Sequence, residues 1–248
     1  MLPTWLPPDF DIVVKRMNSN GIRLSFEFFP PKNETMEARL WETVQRLAPL
    51  KPDFVSVTYG ADGSTRERTH DIVSRIHGRS GLTSAPHLTC VGATADELRY
   101  YLNRAARKRV DYIVALRGDP PKGEKRFQAV EGGFSYASEL VQLLRAEFPQ
   151  FGVAVAGYPE KHVEAPSHDV DLQNLARKVA CGADIVVTQL FYNNDDFFHF
   201  RRRYEELGIT APLVPGILPI TNLAQVERLT SMCHACLPEH LVDQLRRK

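Results

Sequence analysis

The sequence predicts an α/β protein that folds as a (β/α)8 barrel of the TIM type, although only seven strand candidates are visible in it. Three observations predict this fold: apolar runs alternate with amphipathic segments, no break in composition divides the chain, and polar residues end most strand candidates. We therefore interpret residues 1–248 as one barrel domain.

The strand candidates are short runs rich in valine, isoleucine and phenylalanine. In chain order they are LSFEFF, FVSVTY, APHLTC, YIVALRG, GVAVAGY, DIVVTQLFY and LVPGIL. The stretches between them, such as MEARLWETVQRLAPL and YASELVQLLRAEF, carry apolar residues at the spacing of an amphipathic helix. Strands that alternate with helices in this way form a parallel sheet.

A doubly wound dinucleotide-binding sheet is the main alternative to a barrel. Such a sheet carries G-x-G-x-x-G after its first strand, whereas the first strand candidate here ends in FFPPK, without glycine. Most strand candidates end instead in polar or ionisable residues: Glu27, Thr58, His87, Arg117 with Asp119, Tyr158 and Gln189. Because barrels assemble their active sites at the carboxyl ends of the strands, this distribution favours a barrel.

Alternation along the first strand candidate places Glu27 in the barrel. Ser25 and Glu27 share one face and Phe26 and Phe28 the other, so we expect the polar pair to point inward and the phenylalanines to face the helices. An apolar wall disfavours an ionised carboxylate, which predicts a raised pKa for Glu27 and a role as general acid. The residues alone leave a structural alternative open, in which Glu27 pairs with a buried arginine or a hydroxyl.

Composition and charge argue against several classes of partner. The 31 basic and 30 acidic residues are interspersed and leave a net charge of +1, so we expect neither nucleic acid nor a membrane as a partner. The start, MLPTWLPPDFDIVV, lacks the features of a secretory signal, and we expect a cytoplasmic protein. Four cysteines make no disulfide framework, and we interpret the C-x-x-C of Cys233 and Cys236 as structural, with no metal bound.

Eight stretches resemble, in this order, motifs of the 5,10-methylenetetrahydrofolate reductase family in its short bacterial form. They are FEFFPPK, FVSVTYGADGSTRERT, PHLTC, ALRGDPP, YPEKH, DLQNLARKVACGAD, VVTQLFY and PGILPI. The resemblance runs from about Leu24 to about Gln225, which is most of the chain. Eight ordered matches are specific, whereas an isolated RGD would carry no weight.

The resemblance implies a flavoprotein that holds FAD non-covalently at the strand ends of a (β/α)8 barrel. NADH or NADPH gives a hydride to FAD, and the reduced flavin then reduces the folate to 5-methyltetrahydrofolate, a ping-pong reaction of one-carbon metabolism that supplies methionine biosynthesis. Glu27 is implied as the general acid that assists opening of the five-membered ring, and Asp119 as a residue that touches both flavin and pterin. We expect a reduced folate as substrate and a homo-oligomeric assembly.

Further contacts are implied by the same resemblance. The implied FAD contacts are Thr58, Tyr59, Ala61, His87, Arg117, Gly118, Asp119, Tyr136, Ala137, Tyr158, His162, Ala165, Asp171, Asn174, Arg177 and Lys178. The implied folate contacts are Asp119, Gln189, Gln225 and Thr58. Arg177 and Lys178 suit the diphosphate, although two cations on a solvated helix face are the ordinary alternative. Ser135 in EGGFSYASEL marks either an anion-binding helix start or an N-cap.

The match fails at the end of the chain. Relatives continue beyond the position of PEHLVDQLRRK into an eighth strand with a folate-binding arginine, so we expect a domain shortened at its C-terminus. A flavin-binding barrel without folate turnover is therefore one alternative. A metal-dependent barrel hydrolase that uses His87, His162, His168, Asp119 and Glu27 is another, although these histidines lack a recognisable ligand spacing.

Overall fold

Seven parallel strands form the wall of the barrel in the computed structural model, which describes residues 21, 23–59, 66–120, 123–124 and 126–247. The strands are β1 (Ser25–Phe28), β2 (Phe54–Val57), β3 (Ser84–Thr89), β4 (Tyr112–Leu116), β5 (Gly152–Gly157), β6 (Ile185–Thr188) and β7 (Leu213–Val214). Each strand pairs in parallel with the next strand in the chain, so the sheet order is β1 to β7. Every strand candidate is confirmed, and the sheet curls into a TIM-like half-barrel.

Helices follow the strands and cover the outside of the sheet. They are α1 (Glu34–Leu47), α2 (Arg66–Ser80), α3 (Ala95–Arg107), α4 (Ala137–Glu147), α5 (His168–Ala180), α6 (Asn194–Glu206), α7 (Leu223–Cys233) and α8 (Glu239–Arg246), with a 3-10 turn at Ala48–Leu50. Several begin at the polar caps that their sequences offer. Asn33 and Ser167 accept from the first turns of α1 and α5, and Thr94 forms a capping box with Glu97 at α3. No helix of the described part is long and apolar enough to cross a bilayer.

Two apolar layers lie on opposite faces of the sheet. The larger layer, between sheet and helices, includes Val55 and Val57, and Phe26 and Phe28 pack against it, as the alternation predicted. The smaller layer fills the barrel interior with Ala85, Val114 and Ala154. Because the polar residues of β1 and β2 share the inner face, they are carried to the mouth at the carboxyl ends of the strands.

Candidate active site

Glu27 is held at the mouth of the barrel by two neighbouring strands. Ser56 lies beside Glu27 in the register of β1 and β2, and its hydroxyl donates to Glu27 Oε2 over 3.1 Å. His87 lies two residues beyond Ala85, which pairs with Ser56, and its Nε2 is 3.0 Å from the same carboxylate oxygen. The inward direction predicted for Glu27 is confirmed. The three side chains form one cluster across β1, β2 and β3.

The prediction of a raised pKa for Glu27 is wrong. Burial does raise the pKa of this carboxyl, but the hydrogen bond and positive charge of His87, with the hydroxyl of Ser56, lower it further than burial raises it. The net pKa lies below the ordinary value for glutamate. The apolar neighbours in the sequence could not reveal this, because Phe26 and Phe28 face the helices while the ion-pair partner comes from β3.

The two partners of this ion pair differ in exposure. The Glu27 side chain is 50% exposed, whereas that of His87 is 12% exposed. Glu27 therefore presents its carboxylate to the mouth, with the imidazole behind it. His87 Nε2 and Glu27 Oε2 are within hydrogen-bond distance of each other, so the two groups can share a proton.

Arg117, Gly118 and Asp119 follow β4 at the same edge. Arg117 donates to Glu164 Oε2 over 2.6 Å, and its guanidinium lies 4.8 Å from the centre of the Phe127 ring. Gly118 has φ +89°, and an added Cβ would lie 2.7 Å from Val91 Cγ1, so this close approach to the wall requires glycine. The Asp119 residue is exposed. The end of β4 thus offers one fixed cation and one accessible carboxylate.

Tyr158 and His162 follow β5 and contact each other edge to face, with ring centres 4.7 Å apart. The His162 amide donates to Asp171 Oδ2 over 2.9 Å, and His162 Nδ1 accepts from the Glu164 amide over 3.1 Å. Burial, followed by the charge of Arg117, lowers the pKa of His162. Because Nδ1 accepts, the neutral ring carries its proton on Nε2. Burial also raises the pKa of Tyr158, and the charge of Asp119 adds to this effect.

The two cations predicted for the diphosphate differ in their surroundings. Arg177 is exposed and donates to Asn174 Oδ1 over 3.1 Å. Lys178 points into the protein, where Nζ donates to the Ala156 carbonyl over 2.5 Å and lies 6.0 Å from the centre of the Tyr158 ring. Burial lowers the pKa of Lys178 to about 8. Lys178 is therefore not the solvated helix-face cation that the sequence left open as an alternative.

The start of α4 is closed by its own glutamate. The amides of Ser135 and Tyr136 both donate to Glu139 Oε2 over 2.8 Å, and Tyr136 occupies the N-cap position. The interpretation of Ser135 as the N-cap is therefore wrong. Tyr136 is 65% exposed, and Ala137 begins the helix beside it. An anion at this helix start would have to compete with a carboxylate already in place.

The remaining predicted contacts lie at other points of the same edge of the sheet, or outside the residues that the structure describes. The Thr58 amide donates to Phe28 O over 2.8 Å, and Tyr59 is buried. Gln189 Oε1 accepts from the Leu190 amide over 2.8 Å, so its NH2 group is the part that can meet a ligand. Gln225 is exposed on the first turn of α7, and the Ala165 amide donates to the His162 carbonyl. Ala61 lies outside the described residues.

Three residues of the site were not predicted from the sequence. Ser56 and Glu164 are the direct partners of Glu27 and Arg117. Burial, followed by the charges of Asp119 and Glu27, raises the pKa of the Cys233 thiol. Register could have identified Ser56, since it lies level with Glu27 on the next strand. The surroundings of Cys233 depend on how α7 packs, and no local pattern encodes them.

Metal-ligand geometry is a separate question. Cys90, Cys181, Cys233 and Cys236 are free thiols. Within the described ranges, no group of three or more histidine, cysteine or acidic side chains is arranged to hold a metal ion. The arrangement of these residues therefore gives no support to the hydrolase alternative.

Comparison with known proteins assigns the chain to a family. A sequence model described as methylenetetrahydrofolate reductase matches residues 13–248. The 5,10-methylenetetrahydrofolate reductase of Escherichia coli K12 is 46% identical over 217 residues, which are 88% of this chain and 71% of that protein. Methylenetetrahydrofolate reductase (NADH) 1 of Zea mays is 39% identical over 231 residues, which cover 89% of this chain and 39% of the maize protein.

A solved structure supports the fold independently. An uncharacterised protein from Clostridium thermocellum, described as binding two copies of 5-methyl-5,6,7,8-tetrahydrofolic acid, superposes with a TM-score of 0.62. The match covers 95% of this chain and 79% of that one at 16% sequence identity. At this identity the likeness carries the fold and nothing more.

Proposed function

Because this chain belongs to the methylenetetrahydrofolate reductase family, we propose that it reduces 5,10-methylenetetrahydrofolate to 5-methyltetrahydrofolate, with NADH or NADPH as reductant and FAD as the carrier. The observation that carries the proposal is the cluster of Glu27, Ser56 and His87. It sets a half-exposed carboxylate, backed by an imidazole, at the mouth of the half-barrel. Family membership supplies the reaction, and this cluster supplies an acid for it.

The residues of the mouth suit a flavin dinucleotide by the chemistry of their donors and acceptors. Thr58, His87 and Gln189 offer hydrogen-bonding groups to a polar ring edge, and exposed Tyr136 offers a flat apolar face. Arg177 is open to a phosphate group, and Lys178 would reach one only by leaving the Ala156 carbonyl. When bound, FAD would accept a hydride from the nicotinamide and give one to the folate.

Glu27 then acts as a proton donor through its pairing with His87. A ring system lying on the mouth would cover the exposed half of the Glu27 side chain and remove water from it. Desolvation disfavours an ion pair relative to its neutral form, so a proton held on His87 Nε2 would move to Glu27 Oε2. The carboxyl group can then protonate the amine nitrogen of the five-membered folate ring as that ring opens. The lowered pKa of Glu27 is thus compatible with the role of an acid, because in this proposal His87 holds the proton beside it.

Asp119 and Gln189 serve recognition in this proposal. The exposed carboxylate of Asp119 can accept hydrogen bonds from the amide and amino groups of a pterin. The NH2 group of Gln189 can donate to whichever ligand lies on the mouth, because its oxygen is already engaged by Leu190. Neither residue needs to transfer a proton, and their loss should raise KM more than it lowers kcat.

The absorbance spectrum of the purified protein tests the proposal. We expect a yellow protein whose flavin bands are bleached anaerobically by NADH or NADPH and restored by methylenetetrahydrofolate. A colourless protein that takes up no added FAD would refute the proposal. Bleaching by the nicotinamide without reoxidation by the folate would instead indicate a flavin-binding barrel that lacks folate turnover.

A further inference from the structure

Glu160 connects two parts of the chain that carry different predicted ligand contacts. It lies in the flavin loop, which we define as residues 158–165 and which contains Tyr158, His162 and Ala165. Its Oε2 accepts a 2.6 Å hydrogen bond from the backbone amide of Cys236, 76 residues further along the chain. Its Oε1 is buried and has no hydrogen-bond partner within the described ranges. This carboxylate is therefore committed to one contact, with the turn between α7 and α8.

The flavin loop holds Glu160 in a fixed direction. The Lys161 amide donates to the Tyr158 carbonyl over 3.1 Å, which makes a turn with Pro159 and Glu160 at its two central positions. Proline at the first of these fixes φ. Lys161 has φ +82°, a left-handed conformation costly for lysine, and its Nζ donates to the carbonyls of His162 and Ala165 over 3.0 and 2.6 Å. The loop is thus tied to itself, and Glu160 points away from it.

The partner of Glu160 lies at the end of the helix that carries Gln225. Helix α7 ends at Cys233, and His234 then adopts the left-handed conformation with φ 54°. The Ala235 amide closes this end by donating to the Thr230 carbonyl over 3.0 Å. These bonds leave the Cys236 amide to meet Glu160. Gln225, on the first turn of the same helix, is a predicted folate contact.

The environment of Glu160 makes this bond sensitive to the loss of either partner. Burial raises the pKa of this carboxyl, and the charge of Asp196 adds to the effect. The hydrogen bond from the Cys236 amide lowers the pKa, but by less. A buried carboxylate without its donor is costly, and a buried amide without its acceptor is costly as well. Among the described residues, this contact is the only hydrogen bond between the flavin loop and the α7–α8 turn.

We propose that Glu160 is a positioning residue, which fixes α7, with its predicted folate contact Gln225, against the flavin loop. The predicted effect on folate binding rests on the proposed function. The tie, which is the hydrogen bond between Glu160 and the Cys236 amide, does not depend on it. It assigns Glu160 no contact with substrate or cofactor. Loss of the tie should therefore let α7 shift and weaken folate binding, while reduction of the flavin by nicotinamide continues.

Glu160→Ala tests the tie with two measurements. We expect amide hydrogen exchange at Cys236 to become about 10- to 100-fold faster, the range that corresponds to loss of one hydrogen bond to a charged group. In anaerobic rapid mixing, we expect the apparent folate affinity to fall at least about fivefold while flavin reduction by NADH changes less than about twofold. A residue with only a general structural role would lower both half-reactions together with the melting temperature.

Three further variants separate the possible causes. Glu160→Gln keeps an oxygen that can accept from the Cys236 amide and should restore most of the protection, which also covers the case in which the alanine variant does not fold. Cys236→Ala keeps the amide donor and should leave exchange unchanged, whereas an effect there would assign the contact to the thiol. Glu239→Gln removes an exposed carboxylate from α8 and should change neither measurement.

The outcomes distinguish this proposal from the proposed function. Unchanged exchange at Cys236 in Glu160→Ala would overturn the tie, whether or not the protein contains flavin. Faster exchange with equal loss of both half-reactions would overturn the positioning role. A wild-type protein without flavin would refute the proposed function and, with it, the predicted effect on folate binding.

Discussion

Replacing Glu27 with glutamine should separate the two half-reactions of the proposed cycle. Glutamine keeps an oxygen that can accept from Ser56, but it can neither take the proton from His87 nor deliver one to the folate. The nicotinamide half-reaction transfers a hydride and needs no acid at this position. We therefore expect flavin reduction to continue and folate reduction to be lost.

The structure sets the size of each effect. General acid catalysis contributes about 10²- to 10⁴-fold, so we expect the folate half-reaction to fall by that factor. The ion pair with His87 has a half-exposed carboxylate, and pairs of this kind contribute about 0–1 kcal/mol. The free energy of unfolding should accordingly change by no more than about 1 kcal/mol, and the variant should remain folded.

Anaerobic stopped-flow absorbance at the flavin bands measures both half-reactions in one preparation. Purified variant is first reduced with NADH and then mixed with methylenetetrahydrofolate, with wild-type protein as the reference. Equal loss in both half-reactions would show that Glu27 is structural. Undiminished folate reduction would show that the proton comes from elsewhere, and either result contradicts the role derived from the cluster.

Three other substitutions test separate features. Gly118→Ala should destabilise the protein by about 2–4 kcal/mol in urea unfolding, because alanine there would combine a left-handed φ with a clash against Val91. The control is Gly132→Ala, where φ is +72° and the space around the added Cβ is open, and it should cost only about 1 kcal/mol. His70 is buried without a partner for either ring nitrogen among the described residues, and burial, with Arg104 and Lys108, lowers its pKa from 6.5 to about 4. Folding therefore favours the neutral form of His70, and its contribution to the free energy of unfolding is fully present above pH 6.5. That contribution should fall by about 3 kcal/mol as the pH drops to 4. His70→Phe should remove this part of the pH dependence of stability, measured by unfolding at a series of pH values. Lys178→Met should raise the Kd for FAD about tenfold, measured by fluorescence quenching, if its ammonium reaches the diphosphate, and should leave the apoprotein at least as stable because it removes a buried charge.

Local pattern was sufficient to predict most of the fold. Apolar runs of strand length identified all seven strands, and the alternation at Phe26 and Glu27 assigned the two faces of β1. These features are encoded by neighbours in the sequence, because strand periodicity and helix periodicity are local properties. The sequence left Ser135 open as an N-cap of α4, but Tyr136 takes that position and Glu139 satisfies the first amides.

The electrostatics of the site could not be predicted in the same way. The pKa of Glu27 depends on His87, which comes from a strand 60 residues further along the chain, and the register of three strands brings the two together. The surroundings of Lys178 likewise depend on the Ala156 carbonyl and on Tyr158. A sequence motif identifies which residues matter, whereas the charge that each one carries is decided by partners from other elements.

The pairing of Glu27 with His87 determines how Glu27 would work as the proposed acid. A glutamate whose pKa is raised by apolar walls alone would hold its proton in the free enzyme and lose the ability to respond to the ligand. In the proposed mechanism, a carboxylate with a lowered pKa beside an imidazole would respond instead to coverage of the mouth, because desolvation of the charged pair would return the proton to Oε2. On this argument, His87→Asn should abolish the stored proton while leaving the carboxylate in place, and folate reduction should then become dependent on pH with the pKa of an unpaired carboxyl. A pH profile of the folate half-reaction that is the same in wild type and in His87→Asn would contradict the coupling of the two residues.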